Sequence, residues 1–338
     1  MKIAINTRPV DGPWGGGNRF VLALAAAARA RGHEVAFELS PDVDLALMID
    51  PRARNPQLTF TPGRLLEHKR AHPSTIVVHR INECDERKGT RTINWRLRLA
   101  NHVADHTVFI ASWLKELSVW RRDTPFSSIL NGADEEIFRR DSALTWNGQE
   151  PMRLVTHHWG GHAKKGWDVY RRIDGLLEAP RWRGRLSFTY IGNAPSGVEV
   201  RHVRIVPPLD GAALAAALAD NHVYITASVN EPAGMHHVEG AMLGLPLLYR
   251  RSGALPEYCR ECGEAFDGAD DIEPALERMV ARYQEWKAAV GRYPNTATRM
   301  TTAYLDLFER LHADRSAIIA QRAGRSDWLA SALLRLPL

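Results

Sequence analysis

Residues 223–249 read VYITASVNEPAGMHHVEGAMLGLPLLY. Val223–Ala227 is a short apolar run. Gly234–Leu243 has the length of a helix and opens behind a proline and a glycine, and Leu247–Tyr249 is apolar again. Buried strand, helix and buried strand in that order form the repeating unit of a parallel sheet covered by helices. Glu231 follows the first strand, and Glu239 stands eight positions later, on the helix. Open α/β sheets bind ligands at the carboxyl ends of their strands. The start of the helix adds unpaired N–H groups and a positive dipole end, which suit a diphosphate.

The alternation continues in both directions. Upstream, Arg153–Thr156, Leu186–Ile191 and Val203–Val206 read as strands, with helices at Trp167–Leu177 and Gly211–Ala219. Further upstream, Ser142–Pro151 is polar and reads as a linker. Before it, Lys2–Asn6, Val35–Leu39, Asp44–Ile49, Thr75–His79, Thr107–Ala111 and Ser127–Leu130 read as strands, and Asn18–Arg31 as a helix ended by Gly32. The chain of 338 residues therefore reads as two parallel-sheet domains. The expected boundaries are 1–141 for the first domain, 142–150 for the linker, 151–302 for the second domain and 303–338 for a helical tail. The amphipathic spacing of that tail predicts packing back toward the first domain. Its end, Trp328–Leu334, also has the character of a membrane-surface segment.

Composition narrows the function. A hydrophobic fraction of 45% and a charged fraction of 25% are those of an ordinary globular protein. The longest apolar run, Phe20–Ala28, is far short of the roughly 20 residues that span a bilayer. Met1–Ile5 enters a strand pattern without signal-peptide features, so the expected location is cytoplasmic, with peripheral contact at the inner membrane face. A net charge of +5 points to an acidic partner: nucleotide phosphates, an acidic glycan or an anionic membrane surface. No zinc-finger, homeodomain or RRM pattern speaks for nucleic acid. Cys84, Cys259 and Cys262 make no disulfide framework, and Cys259-x-x-Cys262 lacks the second pair a zinc site needs.

Three further loops carry chemistry. Thr156–Gly166 follows the first strand of the second domain and holds His157, His158, His162, Lys164 and Lys165. An ammonium there would neutralise charge building on a departing diphosphate. Its histidines match no standard metal spacing, and no metal is expected. Gly15-Gly16-Gly17-Asn18 follows the first strand, where glycine permits close approach of a ligand to the backbone. It does not form the dinucleotide fingerprint, although Glu38 keeps a NAD-dependent dehydrogenase open as an alternative. His79–Gly89 leaves another strand end and is dense in charge and histidine.

The order Glu231-Pro232-x-Gly234, Glu239, Ala241-Met242 resembles the E-x7-E motif of retaining GT-B glycosyltransferases, family 4, the glycosyl transferases group 1. Lys165-Gly166 resembles that family's Lys-Gly pair, with Gly160 standing where the family has an arginine. Gly15–Asn18, Asn131–Asp134 and Ser252–Glu257 resemble its glycine loop, its NGVD segment and its G-G-x-P-E turn. The resemblance implies a GT-B fold of two Rossmann-like domains facing an interdomain cleft. It implies transfer of a sugar from a UDP-, GDP- or other nucleoside diphosphate sugar to a glycan or lipid-linked acceptor, with retention and without metal or cofactor. It assigns Glu231, Lys165 and His79 to catalysis. Gly16, Gly17, Asn18, Arg80, Lys165, Gly234, Met235, His236 and Glu239 are assigned to the nucleotide sugar. In this scheme Glu239 takes the ribose hydroxyls, Glu231 and His79 face the sugar, and the amides of Met235 and His236 hold the distal phosphate. The same motifs would also serve a GT-B nucleotide-sugar epimerase, or a sugar-binding scaffold whose site has degenerated at Gly160.

Overall fold

In a computed structural model, the chain is described except at residues 11, 13, 14, 53, 54, 141, 323–331 and 335–338. The strands are β1 (Lys2–Ile5), β2 (Glu34–Ala36), β3 (Leu45–Met48), β4 (Ile76–Ile81), β5 (His106–Phe109), β6 (Phe126–Ser128), β7 (Met152–His158), β8 (Leu186–Gly192), β9 (Arg204–Val206), β10 (Val223–Thr226), β11 (Leu247–Arg250) and β12 (Gly263–Phe266). The helices are α1 (Gly16–Ala30), α2 (Pro62–Ala71), α3 (Asp85–Lys88), α4 (Ile93–Ala100), α5 (Trp167–Glu178), α6 (Gly211–Ala219), α7 (Met235–Met242), α8 (Leu255–Cys259), α9 (Ile272–Ala281), α10 (Tyr283–Val290), α11 (Ala297–Ala313) and α12 (Arg315–Arg322). Two six-stranded sheets result, ordered β2-β1-β3-β4-β5-β6 and β12-β11-β10-β7-β8-β9, with every pairing parallel.

Two compact units form. The first takes Met1–Asp11, Gly16–Leu130 and Thr298–Leu338; the second takes Gly12–Gly15 and Asn131–Ala297. In the first, every residue of β3 and β4 is buried, as expected of strands covered on both faces. One face carries Ile3, Ile5, Leu45, Leu47, Ile76 and Val78 against Phe20 and Leu24 of α1 and Tyr304, Leu307 and Phe308 of α11. The other carries Ala4, Ala46, Met48 and Val77 against Leu65 of α2, Ala100 of α4 and Leu334. Burying one such aliphatic or aromatic side chain stabilises by about 1.5–3 kcal/mol. The tail thus contributes core residues, and Leu334 lies in the core; residues 328–331 of the Trp328–Leu334 segment lie outside the described residues.

The second unit packs Trp167, Tyr170, Ile173 and Leu176 of α5 and Ile272, Leu276 and Met279 of α9 against Leu154, Phe188, Tyr190 and Ile225 of the sheet. Its strand order reverses between β7 and β10, since β8 and β9 continue to one side and β11 and β12 to the other. The carboxyl ends at such a reversal border the crevice in which doubly wound sheets bind ligands. In this unit those ends are followed by residues 159–166 and 227–234.

Candidate functional site

The second unit gathers both glutamates of the quoted stretch at the ends of β7 and β10. Behind β7 the chain turns through Ala163–Lys165 to Gly166, whose φ of 102° is left-handed. A Cβ on Gly166 would lie 2.3 Å from that of Ala227, so only glycine lets this turn press against the end of β10. Val229 N–H donates to the Lys164 carbonyl at 2.8 Å, tying the two strand ends together. Lys165 is thereby carried to Glu231: Nζ donates to Oε2 at 2.6 Å, with the residues only 5% and 2% exposed.

The segment holding Glu231 is braced from two sides. Asn230 takes a positive φ of 51°; its N–H donates to Ser252 Oγ at 2.8 Å, and Ala254 N–H donates to the Glu231 carbonyl at 2.9 Å. Asn131 Nδ2 donates to the Ala233 carbonyl at 2.8 Å, while its own N–H donates to Tyr258 Oη at 2.7 Å. The Asn131 and Ser252–Ala254 segments therefore act as struts for the acidic turn.

Gly234 is the N-cap of α7 and brings no side chain to its end. The first-turn N–H groups, those of Met235 and His236 among them, consequently have no intrahelical acceptor. Glu239 lies four residues beyond Met235, just over one turn into the helix. It is buried, and its Oε2 is 2.7 Å from His157 Nε2. On the other side of that ring, Tyr224 Oη is 3.1 Å from Nδ1. With Tyr224 donating to Nδ1, His157 presents Nε2–H to the carboxylate. Gly240 makes this possible, because a Cβ there would meet the Tyr224 ring at 2.4 Å.

Three more imidazoles complete the cluster. His158 Nε2 is 3.0 Å from Tyr170 Oη, and its ring centroid is 4.6 Å from that of His236. His236 Nε2 is 2.8 Å from Thr226 Oγ1. His237 is fully buried, 5.0 Å from the Tyr258 ring, with neither ring nitrogen hydrogen-bonded. Burial is the main reason that His158 and His236 are held far below the ordinary histidine range and His237 is pushed down to about 4. All three are neutral at pH 7. Among the described residues no group of three or more His, Cys, Asp or Glu side chains is arranged to hold a metal ion. Burial also pushes the Cys262 thiol up to about 12 and Cys259 well above its usual range, so neither offers a thiolate.

The first-unit candidates are placed differently from their sequence reading. That reading ends a strand at His79 and opens a loop there, whereas β4 runs on to Ile81 and holds both His79 and Arg80 inside the sheet. His79 is 0% exposed, its Nδ1 is 3.1 Å from Asn101 Nδ2, and burial pushes the imidazole down to about 3. The ring joins β4 to the 101–107 segment through Nδ1, and its Nε2 is buried without a hydrogen-bond partner. Arg80 points to the opposite face. Its guanidinium lies 3.9 Å from the Phe20 ring centroid, and Nε donates to Tyr304 Oη at 3.1 Å. These contacts clamp α1 and α11 to the sheet. Asn18 closes the glycine loop, its amide accepting from Val10 N–H at 2.9 Å and donating to Val10 O at 2.8 Å. Gly16 begins α1, and a Cβ at Gly17 would meet no heavy atom within 4 Å.

A small cleft in the first unit is lined by Asp50, Arg52, Asn82, Glu83, Arg96 and neighbouring apolar residues. Asp50 accepts from Arg52 Nη2 at 2.6 Å and from Asn55 Nδ2 at 2.8 Å, and Glu83 accepts from Arg87 Nη1 at 2.8 Å. Asn82 and Glu83 belong to the charged 79–89 loop read from the sequence, whereas Asp50, Arg52 and Arg96 were signalled by no motif.

The two sheets, their order and their parallel pairing define the GT-B class of fold, two Rossmann-like units on one chain. Solved structures of that fold match nearly the whole chain. Sucrose-phosphate synthase from Thermosynechococcus elongatus is 15% identical with a TM-score of 0.62, over 93% of this chain and 99% of that one. HepE from Anabaena, in complex with UDP and glucose, is 12% identical with a TM-score of 0.64, over 91% and 99%. The catalytic domain of starch synthase IV from Arabidopsis thaliana, bound to ADP and acarbose, is 13% identical with a TM-score of 0.65, over 92% and 99%. No family model and no curated protein sequence matches the chain.

Proposed function

We propose that this protein is a glycosyltransferase that moves a sugar from a nucleoside diphosphate sugar to an acceptor hydroxyl, with retention of anomeric configuration. The observation that carries this reading is the buried Lys165–Glu231 pair beside the uncapped start of α7, with Glu239 one turn along the same helix. A cation, a set of amide donors and a second carboxylate at that spacing match the parts of a nucleotide sugar: diphosphate, then ribose. The GT-B structures bound to UDP with glucose and to ADP with acarbose carry nucleotides of this class.

In this reading Glu239, oriented by His157, accepts hydrogen bonds from the ribose hydroxyls. The N–H groups of Met235 and His236 receive the distal phosphate at the positive end of the helix. Lys165 shifts from Glu231 toward the diphosphate as negative charge grows on the leaving oxygen, and Glu231 is released to the sugar hydroxyls. The leaving phosphate accepts the acceptor's proton on the same face of the sugar, so no protein base is needed. Lys165 and the helix amides supply the charge stabilisation, and no metal or cofactor takes part. The acceptor is a glycan or a lipid-linked sugar. Among the described residues no helix is long and apolar enough to cross a membrane. Peripheral contact is supported by α4, where Trp95 is 51% exposed between exposed Arg91 and Arg98.

The test is a panel of UDP-, GDP-, ADP- and dTDP-sugars, scored for release of nucleoside diphosphate with and without candidate glycan acceptors. Acceptor-dependent release and a product of retained configuration are expected. Sugar interconversion without any acceptor would favour the epimerase, and stabilisation by NAD alone would favour the dehydrogenase.

A further inference from the structure

The small cleft of the first unit has no part in the chemistry assigned to Lys165, Glu231 and α7, and its charges do not cancel. It lies beyond the carboxyl ends of β3 and β4, where α/β sheets bind ligands. Asn6, 0% exposed, fixes its backbone: Nδ2 donates to the Asp50 carbonyl at 2.7 Å, and Oδ1 accepts from Ile49 N–H at 2.7 Å. The Asp50 carboxylate is satisfied by its own neighbours. Arg52 Nε and Nη2 reach its two oxygens at 2.8 and 2.6 Å, the fork of a bidentate pair, and Asn55 Nδ2 adds a bond at 2.8 Å. Beyond the end of β4, Glu83 accepts from Cys84 N–H at 3.1 Å and from Arg87 Nη1 at 2.8 Å.

Each carboxylate thus has its own arginine, and Arg96 is left over. Ile93, Arg96 and Leu97 stand at i, i+3 and i+4 of α4, so they share one face of the helix, and all three line the cleft. Among the described residues the Arg96 guanidinium makes no hydrogen bond, ion pair or ring contact, and the Asn82 carboxamide, which also lines the cleft, makes none either. Both side chains are half-buried. A surplus guanidinium offers paired N–H donors in the geometry of a carboxylate or phosphate, and the carboxamide adds another donor. The cleft is small, so it admits such a group rather than a whole sugar ring.

We propose that this cleft holds an acid group of the acceptor, so that the acceptor is a sugar bearing a carboxylate or a phosphate, bound through Arg96 and Asn82. The inference rests on the nucleotide-sugar reading and names the class of its acceptor. A neutral sugar would leave the guanidinium without a counter-charge, and a cationic one would be repelled by it. Asp50 and Glu83 do not compete for Arg96, because Arg52 and Arg87 already occupy them.

The test is a ligand-observed NMR titration of the full chain with methyl glucuronide, glucose 6-phosphate and neutral methyl glucoside, on wild type, R96Q, R96K and N82A. The buffer is free of phosphate, and the tightest of UDP, GDP, ADP and dTDP is present at saturation, so that the Lys165 end is already filled. A charge-assisted hydrogen bond corresponds to about a tenfold or larger change in affinity. Wild type is expected to bind at least one of the two anions about tenfold or more tightly than methyl glucoside. R96Q should lose that preference, R96K, which keeps the charge without the fork, should fall between, and N82A should lose a few-fold. Glucuronide ahead of glucose 6-phosphate marks a carboxylate acceptor, and the reverse order a phosphorylated one. An unchanged melting temperature in R96Q, expected because the guanidinium has no partner to lose, shows that lost binding is not lost folding. Anion binding that R96Q leaves intact, equal binding of the neutral glucoside, or no binding of either anion would overturn the assignment and leave the nucleotide-sugar reading standing. Failure of wild type to bind any of the four nucleotides would sink that reading, and the acceptor assignment with it.

Discussion

The Lys165–Glu231 pair provides a measurable test of the site through stability as well as activity. Both side chains are buried and joined at 2.6 Å. Glu231→Leu leaves an ammonium without its partner in a low-dielectric setting, and Lys165→Met leaves a carboxylate in the same position. Removing one member of a buried pair costs about 3–5 kcal/mol, whereas replacing both by apolar groups of similar volume is often neutral or stabilising. For a unit of this size each kcal/mol shifts the melting temperature by about 2–4 °C. Each single variant should therefore melt about 6–20 °C lower, and the K165M/E231L double variant should recover most of that loss. Urea unfolding followed by circular dichroism provides the free energies, and nucleoside diphosphate release from a sugar nucleotide provides the activity. Stability should return in the double variant while turnover stays lost. If the two losses simply add, the side chains are not coupled and the charge arrangement drawn for the site is wrong.

Four other outcomes follow from the same geometry. Glu239→Ala should weaken nucleotide binding by about tenfold or more, while Glu231→Gln should chiefly lower turnover; calorimetry and initial rates separate the two effects. Tyr224→Phe removes the hydroxyl that orients His157 and should weaken nucleotide binding several-fold; it also leaves the His157 N–H, which donates to that hydroxyl at 3.1 Å, unpaired, at a cost of about 1–3 kcal/mol read from the urea midpoint. Gly166→Ala should destabilise by about 2 kcal/mol or more, read from the urea midpoint, since it combines a left-handed φ with a clash on Ala227. His237 has its folded-state value lowered to about 4 by burial, so between that value and about 6.5 the unfolded chain binds a proton that the folded chain does not. Stability from this group is full above about pH 6.5 and lost as pH falls toward 4, at up to about 1.4 kcal/mol per pH unit. His237→Met should flatten the acid limb of a urea-midpoint profile by that amount, and an unchanged slope would show the ring to be hydrated.

Much of this was legible in the chain itself, for physical reasons. Strands such as Ile76–Val78 and Val223–Thr226 are apolar on both faces, and that pattern marks a covered parallel sheet. Glu231 and Glu239 were readable because one loop and one helix carry both. The end of β4 was misread because the strand continues two residues past the end its apolar run suggests: a histidine paired through Nδ1 with Asn101 and an arginine stacked on Phe20 are held inside the sheet. Sequence periodicity does not encode such distant partners. In the small cleft, Asp50, Arg52 and Arg96 escaped because they come from a strand end and a helix far apart in the chain. The start of α2 was there to be read in Thr61-Pro62, a cap followed by a proline. The tie between His157 and Tyr224 had no local signal, since the two residues stand 67 positions apart.

The first unit borrows α11 from the far end of the chain, and this shapes how the protein is made. Arg80 and Tyr304 meet across 224 positions, so the strands of the first unit leave the ribosome well before the helix that covers one face of their sheet. Throughout that interval Ile3, Leu45 and Val78 lack the cover of Tyr304 and Phe308, and the second unit, whose residues lie almost wholly within one stretch, can close first. A nascent chain stalled before Thr298 should accordingly present a finished second unit attached to an unfinished first one, and chaperones would meet this protein at its amino-terminal half.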